Sequence, residues 1–295
     1  MAFNLQTFKT RTLTAIIFAA VMLTGLLWNH WSFLVLFSII HFGCWWEYFN
    51  LLEKIHKTTF HRYTRLGFML IGYALMLWFC GPVYEINNYS FKENLSFPVS
   101  MAGFVFFVMG IFQKNKINLK AFAVAALGFV YISLCWGLMM DLYKGTDIHF
   151  HDTMFVLAAI FFPLIIIASI WINDTMAYIV GSLIGRNPLS KVSPKKTWEG
   201  TVGGIILSAL IMFLFWNRLV YSISDYPLNI IVGVIAVIAS ITGTLGDLFE
   251  SKLKRMADVK DSGSFMPGHG GFLDRFDSLL FATSAVWLMF YIFEH

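Results

Sequence analysis

Acidic residues at helix-like spacing cluster near the end of this sequence. Asp274 and Asp277 stand three residues apart, directly before an apolar stretch where the start of a helix would turn both the same way. A second group, at positions i, i+3, i+4 and i+7 on one helical face, is Asp247, Glu250, Ser251 and Lys254. Carboxylates, waters and phosphate oxygens are the ligands that Mg²⁺ prefers. The pattern predicts a metal site formed by Asp247, Asp274 and Asp277.

An ordinary structural role is the alternative for each of these residues. A single Asp at a helix end is usually a polar boundary residue, and Asp274 could be an N-cap. Three acids beside His269, Gly270 and Gly271 favour a ligand site, because glycine lets backbone N–H groups approach a ligand closely. His269 itself fits either a ligand contact or a hydrogen bond within the loop.

Basic residues lie between the two acidic groups. Lys254, Arg255 and Lys260 could anchor a loop to an anionic membrane surface, as most loop lysines do. Beside a metal-type acid cluster they favour a polyphosphate ligand, because the charges then balance locally.

A second motif begins at Asp174, within a D-T-M-A-Y segment, and ends in the S-P-K-K-T-W-E-G loop at 193–200. The loop has hydroxyl and ammonium groups for a phosphate but lacks the Walker spacing, so phosphate binding stays open. Gly181 and Gly185 have the spacing typical of close helix packing. Glu47 lies within an apolar stretch, where it could pair with a polar group or with a ligand.

The composition predicts a membrane protein. Of the 295 residues, 58% are hydrophobic and 13% charged, about half the charged share of soluble domains. We predict an all-α polytopic helix bundle, because backbone polar groups in lipid must be paired within each span. Nine apolar stretches, each long enough to cross the bilayer, are predicted at about 12–28, 31–52, 66–83, 97–113, 121–141, 154–173, 201–221, 228–250 and 278–293.

Charge placement predicts the orientation. With nine spans and a cytoplasmic N-terminus, 18 basic residues fall inside, and Lys92, Lys144 and Arg218 fall outside. The net charge of +4 is therefore explained by basic loops facing an anionic leaflet and is no sign of nucleic-acid binding. We expect no nucleic-acid partner. We predict one membrane domain over 1–295, with N-terminal helices in 1–153 and catalytic helices and cytoplasmic loops in 154–295.

The segment Ser251–Asp277 resembles the signature of phosphatidate cytidylyltransferases. It has the pattern S-x-L-K-R-x4-K-D-x-G, then P-x-H-G-G-x2-D-R-x-D. The S-P-K-K-T-W-E-G loop, the D-T-x-A-Y segment, Arg11 with Thr14-Ala15, and Trp46-Glu47 also resemble that family. Two positions depart from the pattern: Met266 replaces Leu, Ile or Phe, and Asp258 replaces Gly.

The resemblance implies a bacterial inner-membrane enzyme with a cytoplasmic site that joins CTP and phosphatidic acid into CDP-diacylglycerol and pyrophosphate. It implies Mg²⁺ as cofactor and leaves a second cation open. The implied catalytic residues are Asp247, Asp274, Asp277 and Lys254, of which the three acids also bind the metal. The implied substrate-binding residues are Ser193, Lys195, Thr197, Arg255, Lys260, His269 and Asp174.

Other functions remain open from the residues alone. A CTP-dependent lipid kinase, or a cytidylyltransferase acting on an isoprenoid lipid, would need the same charged groups. An ion-coupled transporter is disfavoured, because the two halves look unlike and the carboxylates gather at one membrane face. A homodimer is compatible with a bundle of this size, although nothing in the sequence marks an interface.

Overall fold

The computed structural model describes residues 5–113, 118–143, 153–220, 228–265 and 270–294, and this part of the chain is almost entirely helical. Its α-helices are α1 (Leu5–Leu27), α2 (His30–His56), α3 (Arg62–Trp78), α4 (Ser96–Phe112), α5 (Leu119–Gly128), α6 (Cys135–Leu142), α7 (Thr153–Ile184), α8 (Trp198–Val220), α9 (Leu228–Met256) and α10 (Leu273–Glu294). A 3₁₀ turn at Pro82–Tyr84 and π-helical segments at Phe91–Leu95 and Phe129–Leu134 complete the helical structure. A short hairpin pairs β1 (Glu85–Ile86) with β2 (Tyr89–Ser90).

The prediction of an all-α polytopic membrane protein is confirmed. Seven helical segments in the described residues are long and apolar enough to cross a bilayer: His30–His56, Phe91–Phe112, Leu119–Leu142, Phe161–Ile184, Trp198–Arg218, Asn229–Met256 and Leu273–Phe293. Each of the nine predicted stretches overlaps a helix or a continuous helical run. The count of nine membrane spans and the cytoplasmic N-terminus stay predictions.

Several helices extend beyond the apolar stretches that predicted them, among them the three that carry the acidic motifs. α7 continues to Ile184 and α9 to Met256, whereas α10 begins at Leu273, before the predicted start at 278. Apolar composition marks the part of a helix that suits lipid, while backbone hydrogen bonds continue into the polar residues on either side. The extensions therefore place the polar motifs on regular helix ends.

The chain divides into two compact units. Unit 1 comprises Met1–Asp141 and Leu253–Phe276, and unit 2 comprises Leu142–Lys252 and Asp277–His295. The prediction of a single membrane domain stays a prediction. The boundary between the units falls within α9, after Lys252, and within α10, after Phe276. The polar residues of these two helices are therefore divided between the units.

Unit 1 is built around α2, whose large side chains are buried. Trp45 and Phe49 lie in an aromatic cluster with Phe68 of α3, and Phe68 stacks on Phe129 with ring centroids 5.3 Å apart. α3 and α4 approach closely because glycines face each other's backbone. A Cβ at Gly67 would lie 2.5 Å from the Phe107 backbone nitrogen.

Unit 2 also uses small residues to bring helices together. On α8, a Cβ at Gly200 would lie 2.9 Å from the Gly181 Cα of α7, and Ser208 donates its hydroxyl to the Ser169 carbonyl at 2.9 Å. On α9, a Cβ at Gly246 would lie 2.5 Å from the Asp277 carbonyl oxygen of α10. The packing role that the Gly181 and Gly185 spacing indicates is therefore seen at Gly181.

Asp258 ends α9 in a left-handed backbone conformation. Its φ is 54°, and the Val259 N–H donates to the Lys254 carbonyl at 2.9 Å, as in a Schellman cap. Glycine adopts this conformation without steric cost, which gives a physical reason for Gly at this position in the family pattern. Aspartate is among the few other residues that tolerate it.

The close approach of α3 and α4 can be tested by adding a methyl group. We expect Gly67→Ala to destabilise the purified protein by about 1–3 kcal/mol, because the Cβ meets backbone that cannot rotate away. Gly233→Ala is the matched control, since its Cβ would come no closer than 3.7 Å to Phe213. Thermal unfolding in detergent measures both, and equal midpoints would contradict the packing.

Candidate functional site

Asp274, in the first turn of α10, accepts hydrogen bonds on both carboxylate oxygens. Its Oδ1 lies 2.7 Å from the Lys254 ammonium, and both side chains are largely buried. Its Oδ2 accepts from the backbone N–H of Ser262 at 2.8 Å and of Gly271 at 2.8 Å. The same oxygen lies 2.9 Å from the Ser262 hydroxyl. Asp274 therefore holds together α9, the following loop and the start of α10 within unit 1.

Glu47 supports the same loop from α2. Its side chain is 4% exposed, and Oε2 accepts from the Ser262 hydroxyl at 2.7 Å and the Leu273 N–H at 2.8 Å. Oε1 accepts from the Phe272 N–H at 2.9 Å. The first N–H groups of a helix have no partner inside it, so Glu47 caps α10 from outside. Of the two alternatives for Glu47, the structure shows pairing with polar groups of the protein.

Three glycines make room for these two carboxylates. A Cβ at Gly263 or at Gly271 would collide with the Glu47 carboxylate. Gly270 has a φ of 84°, and a Cβ there would lie 2.6 Å from Asp274 Oδ2. The sequence predicts that Gly270 and Gly271 let backbone N–H groups approach a ligand. In the structure, the Gly271 and Phe272 N–H groups donate to the carboxylates of Asp274 and Glu47.

In unit 2, three charged side chains from separate motifs come together. The Lys196 ammonium forms an ion pair with Asp247 of α9, and the two side chains are 32% and 24% exposed. Asp174 of α7 lies within electrostatic reach of both Lys196 and Asp247. The S-P-K-K-T-W-E-G loop and the start of the acidic motif are therefore joined by an ion pair, and the D-T-M-A-Y segment places a third charge within electrostatic reach of both.

The loop that carries Lys196 is fixed at both ends by polar contacts. Glu199 accepts the backbone N–H groups of Arg186 at 3.1 Å and Asn187 at 3.2 Å. Thr197 caps α8, because its hydroxyl accepts the Gly200 N–H at 3.1 Å. The Leu189 N–H donates to the Lys196 carbonyl at 2.7 Å. These bonds hold the backbone on both sides of the Lys196 side chain.

The three predicted metal-binding acids are divided between the units. Asp274 belongs to unit 1, whereas Asp247 and Asp277 belong to unit 2. Asp277 is buried, and its Oδ1 accepts the Ser278 N–H at 2.6 Å. Within the described residues, no group of three or more His, Cys, Asp or Glu side chains is placed to hold a metal ion.

The other predicted binding residues lie nearer to solvent. Lys195, Arg255 and Lys260 are exposed, and Ser193 and Thr197 are half-buried. His269 lies outside the described residues. The predicted roles of all these residues stay predictions.

Comparison with known proteins identifies the family of the chain. The cytidylyltransferase family model matches residues 9–293 of the chain. The chain belongs to the cytidylyltransferase family. The resemblance seen in the sequence is therefore confirmed, and it extends over the helices of both units.

Relatives within the cytidylyltransferase family include three bacterial proteins named phosphatidate cytidylyltransferase. That of Bacillus subtilis is 32% identical over 231 residues, which are 76% of this chain and 79% of that protein. That of Staphylococcus saprophyticus is 31% identical over 276 residues, 92% of this chain and 95% of that protein. That of Thermotoga maritima is 40% identical over 136 residues, 44% of this chain and 49% of that protein.

Three residues that bind the motifs together were not predicted as site residues. Lys196, next to the predicted Lys195, pairs with Asp247, while Glu199 and Ser262 hold the two loops. The adjacent lysines gave a signal for a basic site but no means of choosing between them. Glu199 is part of the family motif, but its role could not be predicted. A carboxylate that accepts backbone N–H groups is not marked by any particular residue spacing in the sequence.

Replacing Glu47 tests its hold on the start of α10. We expect Glu47→Gln to speed amide exchange at Phe272 and Leu273 by roughly 5- to 100-fold, because the new NH₂ group cannot accept a hydrogen bond. Hydrogen exchange followed by mass spectrometry, over a peptide spanning 270–276, measures this. Glu85→Gln, the same change at an exposed residue of β1, is the control. Unchanged exchange in the Glu47 variant would contradict the capping role.

Proposed function

We propose that this protein transfers CMP from CTP to phosphatidate, giving CDP-diacylglycerol and pyrophosphate. Membership of the cytidylyltransferase family and the names of its relatives support this reaction. The observation that carries the proposal is the meeting of Asp174, Lys196 and Asp247, which brings three family motifs to one charged centre. Such a centre suits a polyphosphate, whose own charge must be neutralised before a second anion can approach.

The reaction requires that the two phosphate groups be aligned and their negative charges neutralised, more than it requires a general base. An oxygen of the phosphatidate phosphate attacks the α-phosphorus of CTP, and a new P–O bond forms. The bond from the α-phosphorus to the bridging oxygen of the β-phosphate breaks, and pyrophosphate leaves with that electron pair. A phosphate monoester is already ionised at neutral pH, so no side chain has to remove a proton first.

Each unit contains a lysine restrained by an aspartate. In unit 2, Lys196 would bind phosphate oxygens of CTP, with Asp247 holding its ammonium in place. In unit 1, Lys254 is held by Asp274, and its role at a phosphate stays a prediction. Each such contact, where it strengthens as negative charge develops, is worth about 3–4 kcal/mol in the transition state.

The carboxylates of unit 2 fit a magnesium ion. Asp174 and Asp247 lie within each other's electrostatic field, and Asp247 keeps 24% of its side chain exposed. Mg²⁺ is usually bound by one or two carboxylates together with substrate phosphates, so a dedicated cluster of three side chains is not required. Asp247 and Asp174 would hold the ion, which would supply charge neutralisation at the phosphates. Metal binding by Asp274 and Asp277, and a second cation, stay predictions.

The buried hydrogen bonds of unit 1 would keep the Lys254 side chain in one place. Asp274 is fixed by Ser262 and Gly271, and these are fixed in turn with the help of Glu47. Groups that are held before the substrate arrives need little reorganisation during the reaction. We propose that this is the main role of Glu47 and Ser262.

The place of the reaction follows from the lipid substrate. The apolar helices and the family of bacterial relatives support an integral membrane protein. We propose the bacterial inner membrane with the charged loops in the cytoplasm, where CTP is available. The distribution of the basic residues supports this orientation. A homodimer stays a prediction.

Isotope transfer tests the reaction directly. Purified protein with Mg²⁺ and phosphatidate should move label from α-³²P-CTP into lipid, and no label from γ-³²P-CTP, because the α-phosphorus is the atom attacked. Transfer of the γ-label would instead indicate a lipid kinase. Incorporation with an isoprenoid phosphate but not with phosphatidate would reassign the acceptor.

Lys196 can be separated from its neighbours by substitution. We expect Lys196→Met to lower kcat by about 100-fold or more, because the ammonium that neutralises the transferring phosphate is lost. Lys191→Met, in the same loop at an exposed position, should stay within about threefold of the unmodified protein. Equal kcat values for the two variants would remove Lys196 from the reaction.

A further inference from the structure

We propose that a polar pocket in unit 1, at the end of α2, binds the phosphate monoester headgroup of the acceptor lipid. The pocket has a volume of about 930 Å³ and is lined by residues from 50–59 and from 261–264. This inference rests on the proposed function, because it names the place where phosphatidate is recognised. Neither the sequence motifs nor the family match assigns residues 50–59 to a substrate.

The charges that line the pocket favour an anion. Lys54 and Lys57 are exposed lining residues. The Glu53 carboxylate is already paired with the Arg65 guanidinium at 2.5 Å, so its charge is largely offset. Asp261 is the remaining acid in the lining, which leaves two ammonium groups against one carboxylate. Thr58, Thr59 and Ser264 add hydroxyl donors.

The backbone at the end of α2 is bent toward this lining. Lys57 has a φ of 48° and a ψ of 44°, a left-handed conformation that is uncommon for a residue with a side chain. The Thr58 N–H donates to the Glu53 carbonyl at 3.1 Å, so this is a Schellman-type helix end like the one at Asp258. Here the conformation ends the helix and turns residues 57–59 into the pocket wall.

The position of the pocket favours a lipid over free CTP. α2 is one of the helices that can cross the bilayer, and the pocket lies at its last turns. Large aromatic side chains are exposed on both sides of the lining: Trp46, one turn before Asn50, and Phe265, next to Ser264. Exposed aromatic residues at the end of a span are typical of the membrane interface. A headgroup would be presented there by acyl tails that stay in the bilayer.

Ser262 links the pocket to the loop that holds Lys254. It lines the pocket, and its hydroxyl lies 2.7 Å from Glu47 and 2.9 Å from Asp274. A phosphate bound against 261–264 would therefore contact the residue on which both loop-supporting carboxylates converge. Ser262 would then both contact the bound headgroup and support the Asp274–Lys254 pair.

Kinetics of a double variant test the site. We expect Lys54→Gln with Lys57→Gln to raise the KM for phosphatidate in mixed micelles by about tenfold or more, because two charge-assisted contacts are lost. The KM for CTP and kcat should stay within about twofold of the unmodified protein. Lys120→Gln with Lys252→Gln, two exposed lysines outside the pocket, is the control and should leave all three constants unchanged.

Three outcomes would overturn the inference. An unchanged KM for phosphatidate would remove the pocket from lipid recognition. An equal rise in the control variant would show a general effect of surface charge. A rise in the KM for CTP alone would assign the pocket to the nucleotide.

A binding measurement separates this inference from the proposed reaction. Without CTP, dihexanoyl phosphatidate should raise the thermal midpoint of the unmodified protein, and dihexanoyl phosphatidylcholine should not. The shift should be lost in the Lys54/Lys57 variant, whose midpoint without ligand should match that of the unmodified protein. An equal shift with glycerol 3-phosphate would overturn the lipid assignment. A lysine-dependent shift in a protein that transfers no label from CTP would refute the reaction and keep the pocket.

Discussion

A buried carboxylate needs hydrogen-bond donors, and this requirement organises the polar part of unit 1. Glu47 is almost inaccessible to solvent and accepts three hydrogen bonds, all from the loop and helix start at 262–273. An unsatisfied buried charge would cost several kcal/mol, so the loop must present its N–H and hydroxyl groups to Glu47. Gly263 and Gly271 follow from the same requirement, because a side chain at either position would occupy the space of the carboxylate.

The two units position a lysine ammonium group in different ways. In unit 1, carboxylates inside the protein order a loop and thereby position an ammonium group. In unit 2, close helix packing through glycines brings the ends of helices together, and the charges at those ends then meet. In both, an aspartate forms an ion pair with a lysine and so restrains its ammonium group.

Much of this arrangement could be predicted from the sequence, for identifiable reasons. The apolar stretches marked the membrane helices, because lipid imposes the same length and composition on every span. The spacing of Asp274 and Asp277 predicted that both lie near the start of one helix, and α10 begins at Leu273. The sequence could not show that Lys196 pairs with Asp247, because this ion pair depends on how the loop closes through Glu199 and Thr197. The division of the acids between two units depends on tertiary contacts, which local spacing does not contain.

Glu47 is synthesised before the groups that donate hydrogen bonds to it. It is separated from Ser262 by 215 residues and from Leu273 by 226, so α2 is synthesised long before any of its partners exist. Until α10 emerges from the ribosome and inserts, water or other groups must solvate this carboxylate within a segment destined for the bilayer. Nascent chains that end before residue 262 therefore contain none of the three groups that donate to Glu47 in the folded protein. The start of α10 thus supplies hydrogen-bond donors to an acid of α2 that was synthesised much earlier.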